Sequence, residues 1–365
     1  MQSPPTLLLT GATGLVGSEL LKLLLAARPG RRIAVLTRQR HKVVDLNLID
    51  GVAAFHGDIV HPSLGLNDKT YAELNESIVG IVHCAANTGF GLSLTDARAV
   101  NTVGTLNLLE FAGKCPGLQK FAHLSTAYVV GKAAGHFLEG PICHQSGYCN
   151  TYQQSKHEAE ELVAQAMDHL PACIFRLSSI LGDSITGEVR QFNFVHQLIR
   201  LFPRNMLPMV PGAPSVTIDL IASDWATAAL ASLFDHGFVP GSYYHICAGP
   251  EQSLTIGEML DSMKSLFDSH PMASRWLPIR VPELVPIARY EQFAGESHRG
   301  GDKLLIELLR VLGYFLPHLG IFQAFDNRRT MNMLELPLPS IRTCFEKVVR
   351  YCLETNWGSQ PAQFS

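Results

Sequence analysis

The stretch from Thr6 to Ser18, TLLLTGATGLVGS, constrains this chain more than any other. Leu7, Leu8, Leu9 and Thr10 read as a buried strand that runs straight into Gly11, Gly14 and Gly17. A helical pattern at Leu15, Leu20, Leu21, Leu24 and Leu25 follows at once. A strand, a glycine turn and a helix N-terminus bring backbone N–H groups and the positive end of a helix dipole to one spot, which suits an anion. Gly11 permits the tight turn, Gly14 lets the backbone approach a pyrophosphate, and Gly17 lets the helix pack close to the strand. The spacing is GxxGxxG, and glycines so spaced occur in many loops. The position between strand and helix is what points to a dinucleotide. Gly11, Thr13, Gly14, Leu15, Val16 and Gly17 are therefore candidate cofactor contacts.

Short apolar strands alternate with helical patterns through the first 250 residues or so: Ile33–Thr37, Val52–Phe55, Ile78–Cys84, Lys120–Leu124, Ala172–Leu177 and Tyr243–Ile246. Helices fit between them, notably over Asp96–Lys114 and Tyr152–Leu170. This order implies an α/β fold with a doubly wound parallel sheet of Rossmann type and right-handed crossovers. Two regions break the alternation, 183–215, rich in Phe, Pro and Met, and the mainly helical chain beyond 250. The expected division is a nucleotide-binding domain over 1–182 and 216–250, with 183–215 and 251–365 as a smaller substrate-binding region beyond the carboxyl ends of the strands.

With 365 residues, 47% of them apolar, the chain can bury a large core, and its net charge of -3 supplies no basic field for nucleic acid. The eight cysteines form no CxxC pair and the histidines no HExxH, so reduced thiols are expected and no metal site. The first residues lack a basic start and a small-residue cleavage site, and no run reaches the roughly 18 apolar residues that span a bilayer. A cytoplasmic protein is expected.

The end of the second strand bears on the choice of nicotinamide cofactor. An acidic residue there would hold the ribose hydroxyls of NAD, whereas this chain has Thr37-Arg38-Gln39-Arg40. Arg38 is placed to grip a 2′-phosphate through charge-assisted bonds, which favours NADPH over a plain basic turn. Gly57-Asp58, followed by Ile59, comes after the third strand, where the carboxylate could accept from an adenine amino group. Ala85, Ala86 and Asn87 after the fourth are small enough for a cofactor to lie on the strand end.

Tyr152 and Lys156 stand four apart at the start of a helix, so both share one face. An ammonium roughly 5 Å from the phenol is worth about 3 kcal/mol at an effective dielectric near 20. That is enough to bring a phenol from about 10 towards about 8, within reach of acid–base work. Ser125 and Thr126 follow the fifth strand, where a hydroxyl can donate to a carbonyl oxygen. Asn101 either holds backbone and an ordered water behind Lys156 or is a helix-surface amide. Each part is common; the ordered set is not.

Those residues carry a family resemblance. TGATGLVG, Gly57-Asp58 and Tyr152-xxx-Lys156 resemble the extended short-chain dehydrogenase/reductases. VHCAANTGF (82–90), HLSTAYV (123–129), NTYQQSKHEAEELV (150–163), IFRLSSILGDSITG (174–187) and IDLIASDWA (218–226) are similar to the thioester-reductase and fatty-acyl-CoA-reductase branch. The resemblance covers roughly residues 6 to 250. Leu177 and Ala222 stand where that branch usually has proline. The resemblance implies NADPH-dependent reduction of an acyl thioester, on coenzyme A or an acyl carrier protein, to an aldehyde, and leaves open whether a second hydride gives the alcohol. It implies that Thr126 and Tyr152 stabilise the oxyanion, Tyr152 supplies a proton, and Lys156 holds the nicotinamide ribose.

Two rivals share these features: a dehydrogenase or epimerase of a sterol, flavonoid or nucleotide sugar, and a non-catalytic NADP-binding regulator. A nucleotide-sugar enzyme should offer basic residues to a diphosphate, and 183–215 has only Arg190, Arg200 and Arg204 amid many apolar residues. Ser184, in Gly-Asp-Ser-Ile, resembles a carrier protein's phosphopantetheine serine, but it follows a strand and is rejected as one. Leu304–Phe325 reads as a buried core helix interrupted at Pro317. Its functional alternatives are the wall of an acyl tunnel, facing Phe192, Phe194, Phe202, Met206 and Met209, or a face for peripheral membrane contact.

Overall fold

The computed structural model describes residues 4–207, 209–271, 278–300, 303–314 and 316–357. Seven parallel strands form the central sheet: β1 (Thr6–Thr10), β2 (Arg32–Thr37), β3 (Val52–His56), β4 (Ile78–His83), β5 (Lys120–Thr126), β6 (Ala172–Leu177) and β7 (Tyr243–Ile246). In space they run β7-β6-β5-β4-β1-β2-β3. The order reverses between β1 and β4, the switch point at which ligands bind in doubly wound sheets.

The period of two along β1 shows how the sheet is buried on both faces. Leu9 packs with Leu20 and Leu24 of α1 (Leu15–Ala27) and with Leu230 of a later helix, Ser223–Asp235. Leu8 packs on the other face with Leu108 and Phe111, from the Gly104–Ala112 helix, and with Val163 of the Thr151–Ala166 helix. The segment expected as one helix over 96–114 is three in line, Leu94–Arg98, a π-helical turn Ala99–Val103, and Gly104–Ala112. Such turns in helices occur often at functional sites.

The stretch 304–325 departs from expectation. It is not one interrupted helix but Lys303–Leu312, a single turn Leu316–Leu319 and a strand, Gln323–Phe325, paired in parallel with Gly135–Phe137. An edge from the first half of the chain supplies the partner, which no local pattern announces. Leu309, Leu312, Leu316, Leu319 and Phe325 are buried, and Phe322 is the large apolar side chain left exposed among those described there. No helix among the described residues is long and apolar enough to cross a membrane.

Buried polar groups lock these parts together. Arg176 of β6 pairs with Glu160 of the Thr151–Ala166 helix at 2.7 Å, both almost wholly buried, and its guanidinium also meets Gly140 O. The Glu139 carboxylate accepts backbone N–H groups of His245, Arg329 and Thr330. Burial raises the Glu139 carboxyl above its ordinary value, against these hydrogen bonds.

Candidate active site

The glycine loop takes the conformation its residues require. Gly11 adopts a φ of +73°, and a Cβ there would meet the Cys84–Ala85 backbone at 2.6 Å. A Cβ on Gly17 would run into the Gly11 carbonyl, so α1 can seat on the turn only because that side chain is absent. At Gly14 the nearest atom to such a Cβ lies 3.4 Å away, which leaves the loop open to a ligand. Gly14 caps α1 with no side-chain hydrogen bond, and no acid occupies the first turn. The free N–H groups therefore present their full positive end.

A cavity of about 360 Å³ runs from this loop over the ends of β4, β5 and β6. Gly11, Gly14, Leu15, Val16, Gly17, Ala86, Ser125, Thr126, Tyr152 and Lys156 all line it. Residues read from four separate stretches thus converge in one crevice. A nicotinamide dinucleotide fits this set: an uncapped helix start without acids at one end, hydroxyl and ammonium groups at the other.

Asn150 caps the Thr151–Ala166 helix by accepting from Gln153 N–H, which sets Tyr152 in its first turn and Lys156 one turn on. Thr126 ends β5, and its Oγ1 accepts from Tyr128 N–H at 3.3 Å while it hydrogen-bonds the Tyr152 phenol. Ser125 Oγ is buried with no partner among the described residues. Lys156 Nζ donates to Leu124 O at 2.7 Å and lies 3.2 Å from His123 Nε2.

The electrostatics differ from the sequence expectation in one respect. Burial pushes the Tyr152 phenol up to about 12, with Thr126 acting the other way, and Lys156 is not among the causes. Burial pulls the Lys156 ammonium down to about 8, against Glu160 and Cys84. The lysine does not make the phenol a base, because desolvation outweighs the charge and Nζ is engaged by Leu124 and His123. Tyr152 stays protonated at neutral pH and is equipped to give a proton.

Asn101 is not a surface amide. It lies buried in the π-helical turn, accepts from Asn87 N–H at 2.8 Å, and donates to Asn87 O and Ser155 Oγ at 3.0 and 2.9 Å. With its amide fully used, it ties the loop after β4 to the Thr151–Ala166 helix. Ala85 N–H is bonded to Thr10 Oγ1 at 3.3 Å.

The remaining candidates lie outside the cavity lining. Thr13 is exposed at the turn, and Arg38 is exposed just after β2 with no hydrogen bond or ion pair among the described residues. Asp58 accepts from Val60 N–H at 3.1 Å through one oxygen. The Ile59 side chain is buried against Gly104, so it belongs to the core.

Some lining residues escaped the sequence reading. Phe90 stacks towards Tyr152, with ring centroids 5.7 Å apart, and towards Phe194 at 6.3 Å. Gln153 and His318 meet across the cavity wall, and Tyr128 packs on His318 at 5.3 Å. Of the expected aromatic and Met wall only Phe194 lines the cavity; Phe202 packs on Phe267 in the core. His318, Leu319, Ile321, Gln323 and Phe325 supply the opposite side. Phe90 adjoins the Ala-Ala-Asn motif, a usable signal, and His318 lies within 304–325, the stretch read as a possible tunnel wall, though nothing singles it out there.

A family model described as male sterility protein, an NAD-binding domain, matches residues 9–230, well over half of the chain. The chain belongs to this family. It is similar to a probable fatty acyl-CoA reductase 5 of Arabidopsis thaliana, at 22% identity over 90% of this chain and 88% of that one. It is also similar to an isonitrile lipopeptide synthase of Streptomyces coeruleorubidus, at 30% identity over 65% of this chain but only 18% of that much longer protein. In fold it matches the terminal R domain from the myxalamid PKS-NRPS pathway, with TM-score 0.79 and 24% identity over 98% and 93% of the two chains. The male-sterility-type chain is thus an extended short-chain dehydrogenase/reductase of the thioester-reductase branch and a nicotinamide-dependent oxidoreductase.

Proposed function

We propose that this enzyme uses NADPH to reduce an acyl thioester to an aldehyde and free thiol. The observation that carries the reading is the meeting of Thr126, Tyr152 and Lys156 with the glycine loop in one cavity. The bound cofactor supplies a hydride to the thioester carbonyl carbon. Thr126 and Tyr152 hydroxyls hold the carbonyl oxygen as negative charge builds on it. Tyr152, kept protonated by burial, gives that oxygen its proton. Lys156 holds the ribose hydroxyls with its ammonium. The hemithioacetal then collapses to aldehyde and thiol, so one hydride and one proton are consumed per thioester cleaved.

Arg38 supports NADPH over NADH: it follows β2, has no partner among the described residues, and no acid stands beside it to receive ribose hydroxyls. Asp58, whose second oxygen would accept from an adenine amino group, the Ile59 N–H, Thr13, Ala85 and Asn87 would complete the cofactor contacts. Residues 183–215 and 251–365 form the substrate region, with Phe90, Phe194, Leu319, Ile321 and Phe325 as an apolar wall. Each methylene buried there contributes about 0.8 kcal/mol. The donor is acyl-CoA or a carrier-bound acyl group, which present the same pantetheine arm.

Among the described residues no arginine lines the cavity, which speaks against a sugar nucleotide. Arg190 pairs with Glu19 and Glu188, while Arg204 stacks on Trp357 at 5.5 Å. The Ser184 hydroxyl donates to Asp224 at 2.6 Å, unlike a serine presented for modification. The test is NADPH oxidation by purified protein with acyl-CoAs of several lengths and with acyl-loaded carrier protein, thiol release being followed in parallel. Equal amounts of thiol and oxidised cofactor are expected. Turnover of sterol or sugar nucleotides with none of any thioester would overturn the reading.

A further inference from the structure

Two histidines lie side by side beneath the site with no role in the chemistry above. His83 of β4 and His123 of β5 are partners in the parallel register, both buried, with ring centroids 5.2 Å apart. His83 is fixed at both nitrogens. The Thr105 hydroxyl donates to Asn101 O at 2.6 Å, so its oxygen is left to accept from His83 Nε2–H at 3.0 Å. His83 Nδ1 therefore accepts from Thr10 Oγ1 at 2.8 Å, and Thr10 Oγ1 in turn accepts from Ala85 N–H. The ring is a neutral imidazole of assigned tautomer, wedged against His123.

His123 is the neighbour this wedge holds still. Its Nε2 is 3.2 Å from Lys156 Nζ, and the carbonyl of the next residue, Leu124, is 2.7 Å from the same nitrogen. An ammonium has only donors to offer, so His123 accepts at Nε2 and carries its proton on Nδ1. Nδ1 has no partner among the described residues. A buried, unpaired N–H detracts from stability, so packing alone does not account for this histidine.

We infer that His123 is a positioning residue for Lys156: with Leu124 O it fixes two of the three ammonium hydrogens from behind and leaves the third for the cavity. The inference rests on the proposed role of Lys156 against the cofactor ribose. The choice of a neutral acceptor matters. A carboxylate in the same place would bind the ammonium as an ion pair and draw its charge away from the ligand. Among the described residues no carboxylate bonds Lys156, although the Glu160 charge one turn on favours its ammonium. The sheet contributes His83 and His123, both held neutral by burial, and Cys84, whose thiol burial pushes up to about 12. Its own helix contributes Tyr152, which stays protonated, and Glu160, which is paired to Arg176.

The experiment compares His123→Leu, which removes the acceptor, with His123→Gln, whose side-chain oxygen can stand where Nε2 stood. NADPH binding is measured by fluorescence titration from pH 6 to 10, and kcat and KM for NADPH over the same range. In the wild type, binding should weaken as Lys156 loses its proton through about 8. His123→Leu should raise KM for NADPH about tenfold, with a smaller change in kcat, and move the alkaline limb to lower pH by about one unit. His123→Gln should stay within about threefold of wild type in KM and keep the limb in place. If the leucine variant does not fold, His123→Asn, whose shorter side chain withdraws the acceptor, takes its place. An unmoved limb and KM in the acceptor-free variant would overturn the inference, and so would a glutamine variant as impaired as the leucine one. A protein that binds NADPH but reduces no thioester would overturn the proposed activity and leave this test intact.

Discussion

The two ends of the cavity are built on opposite plans. The end at Gly11–Gly17 comes from one short contiguous stretch and works through backbone, glycine by glycine. The end at Tyr152 draws on the tips of β4, β5 and β6, on the Thr151–Ala166 helix and on residues 318–325. Its working parts are side chains whose protonation is set by how deeply they are buried. The first plan needs only local geometry to hold an anion. The second needs the whole fold, because desolvation and distant hydrogen bonds decide what a phenol or an ammonium can do.

The sharpest way to break this contrast is Tyr152→Phe. Loss of the proton donor should lower kcat/KM about 10²- to 10⁴-fold while the Kd for NADPH, measured by fluorescence, changes little. A parallel loss of binding would show the two ends to be one unit. Glu160→Gln tests the support of the chemical end. Arg176 would be left buried without its partner, which should cost about 3–5 kcal/mol in urea unfolding. Little change would mean the Thr151–Ala166 helix is held by packing alone.

At the backbone end, Arg38→Glu should weaken NADPH about 10- to 100-fold, the value of a charge-assisted bond of about 1.5–3 kcal/mol, and improve NADH relative to it. Gly17→Ala forces a Cβ towards the Gly11 carbonyl and should cost about 1–3 kcal/mol through a displaced α1, read as a raised Kd for NADPH and a lower Tm. Stability should also depend on pH. The Lys156 ammonium sits near 8 when folded, below its ordinary 10.5, so between those values the unfolded chain binds more protons. Its burial cost therefore eases, and stability gains, as pH rises from about 8 to 10.5. Activity should fall over the same window. A wild-type and Lys156→Met comparison of urea midpoints, alongside the wild-type rate profile, separates the two.

Much of the nucleotide half could be read from the chain because its signals are periodic and near one another. Leu8 and Leu9 alternate into opposite cores, as strand residues must, and Gly11 takes the positive φ that its place in the turn suggested. Asn101 shows where reading stops. Its residue type left backbone bridging and a surface amide equally open, and only the fold brings Asn87 and Ser155 within reach of its amide. The stretch 304–325 shows the same limit on a larger scale. Its apolar run signals burial, yet whether Gln323–Phe325 becomes helix or strand depends on an edge at Gly135–Phe137 almost two hundred residues earlier.

The amino-acid order by itself determined the glycine turn, the seven-strand alternation and the i,i+4 pairing of Tyr152 with Lys156, because each follows from neighbours a few bonds apart. Tertiary structure alone decided that the phenol stays protonated, that a histidine from β5 lies against the ammonium, and which residues of 304–325 turn to the cavity. Burial and long-range contact are properties of the folded whole, and no local pattern encodes them.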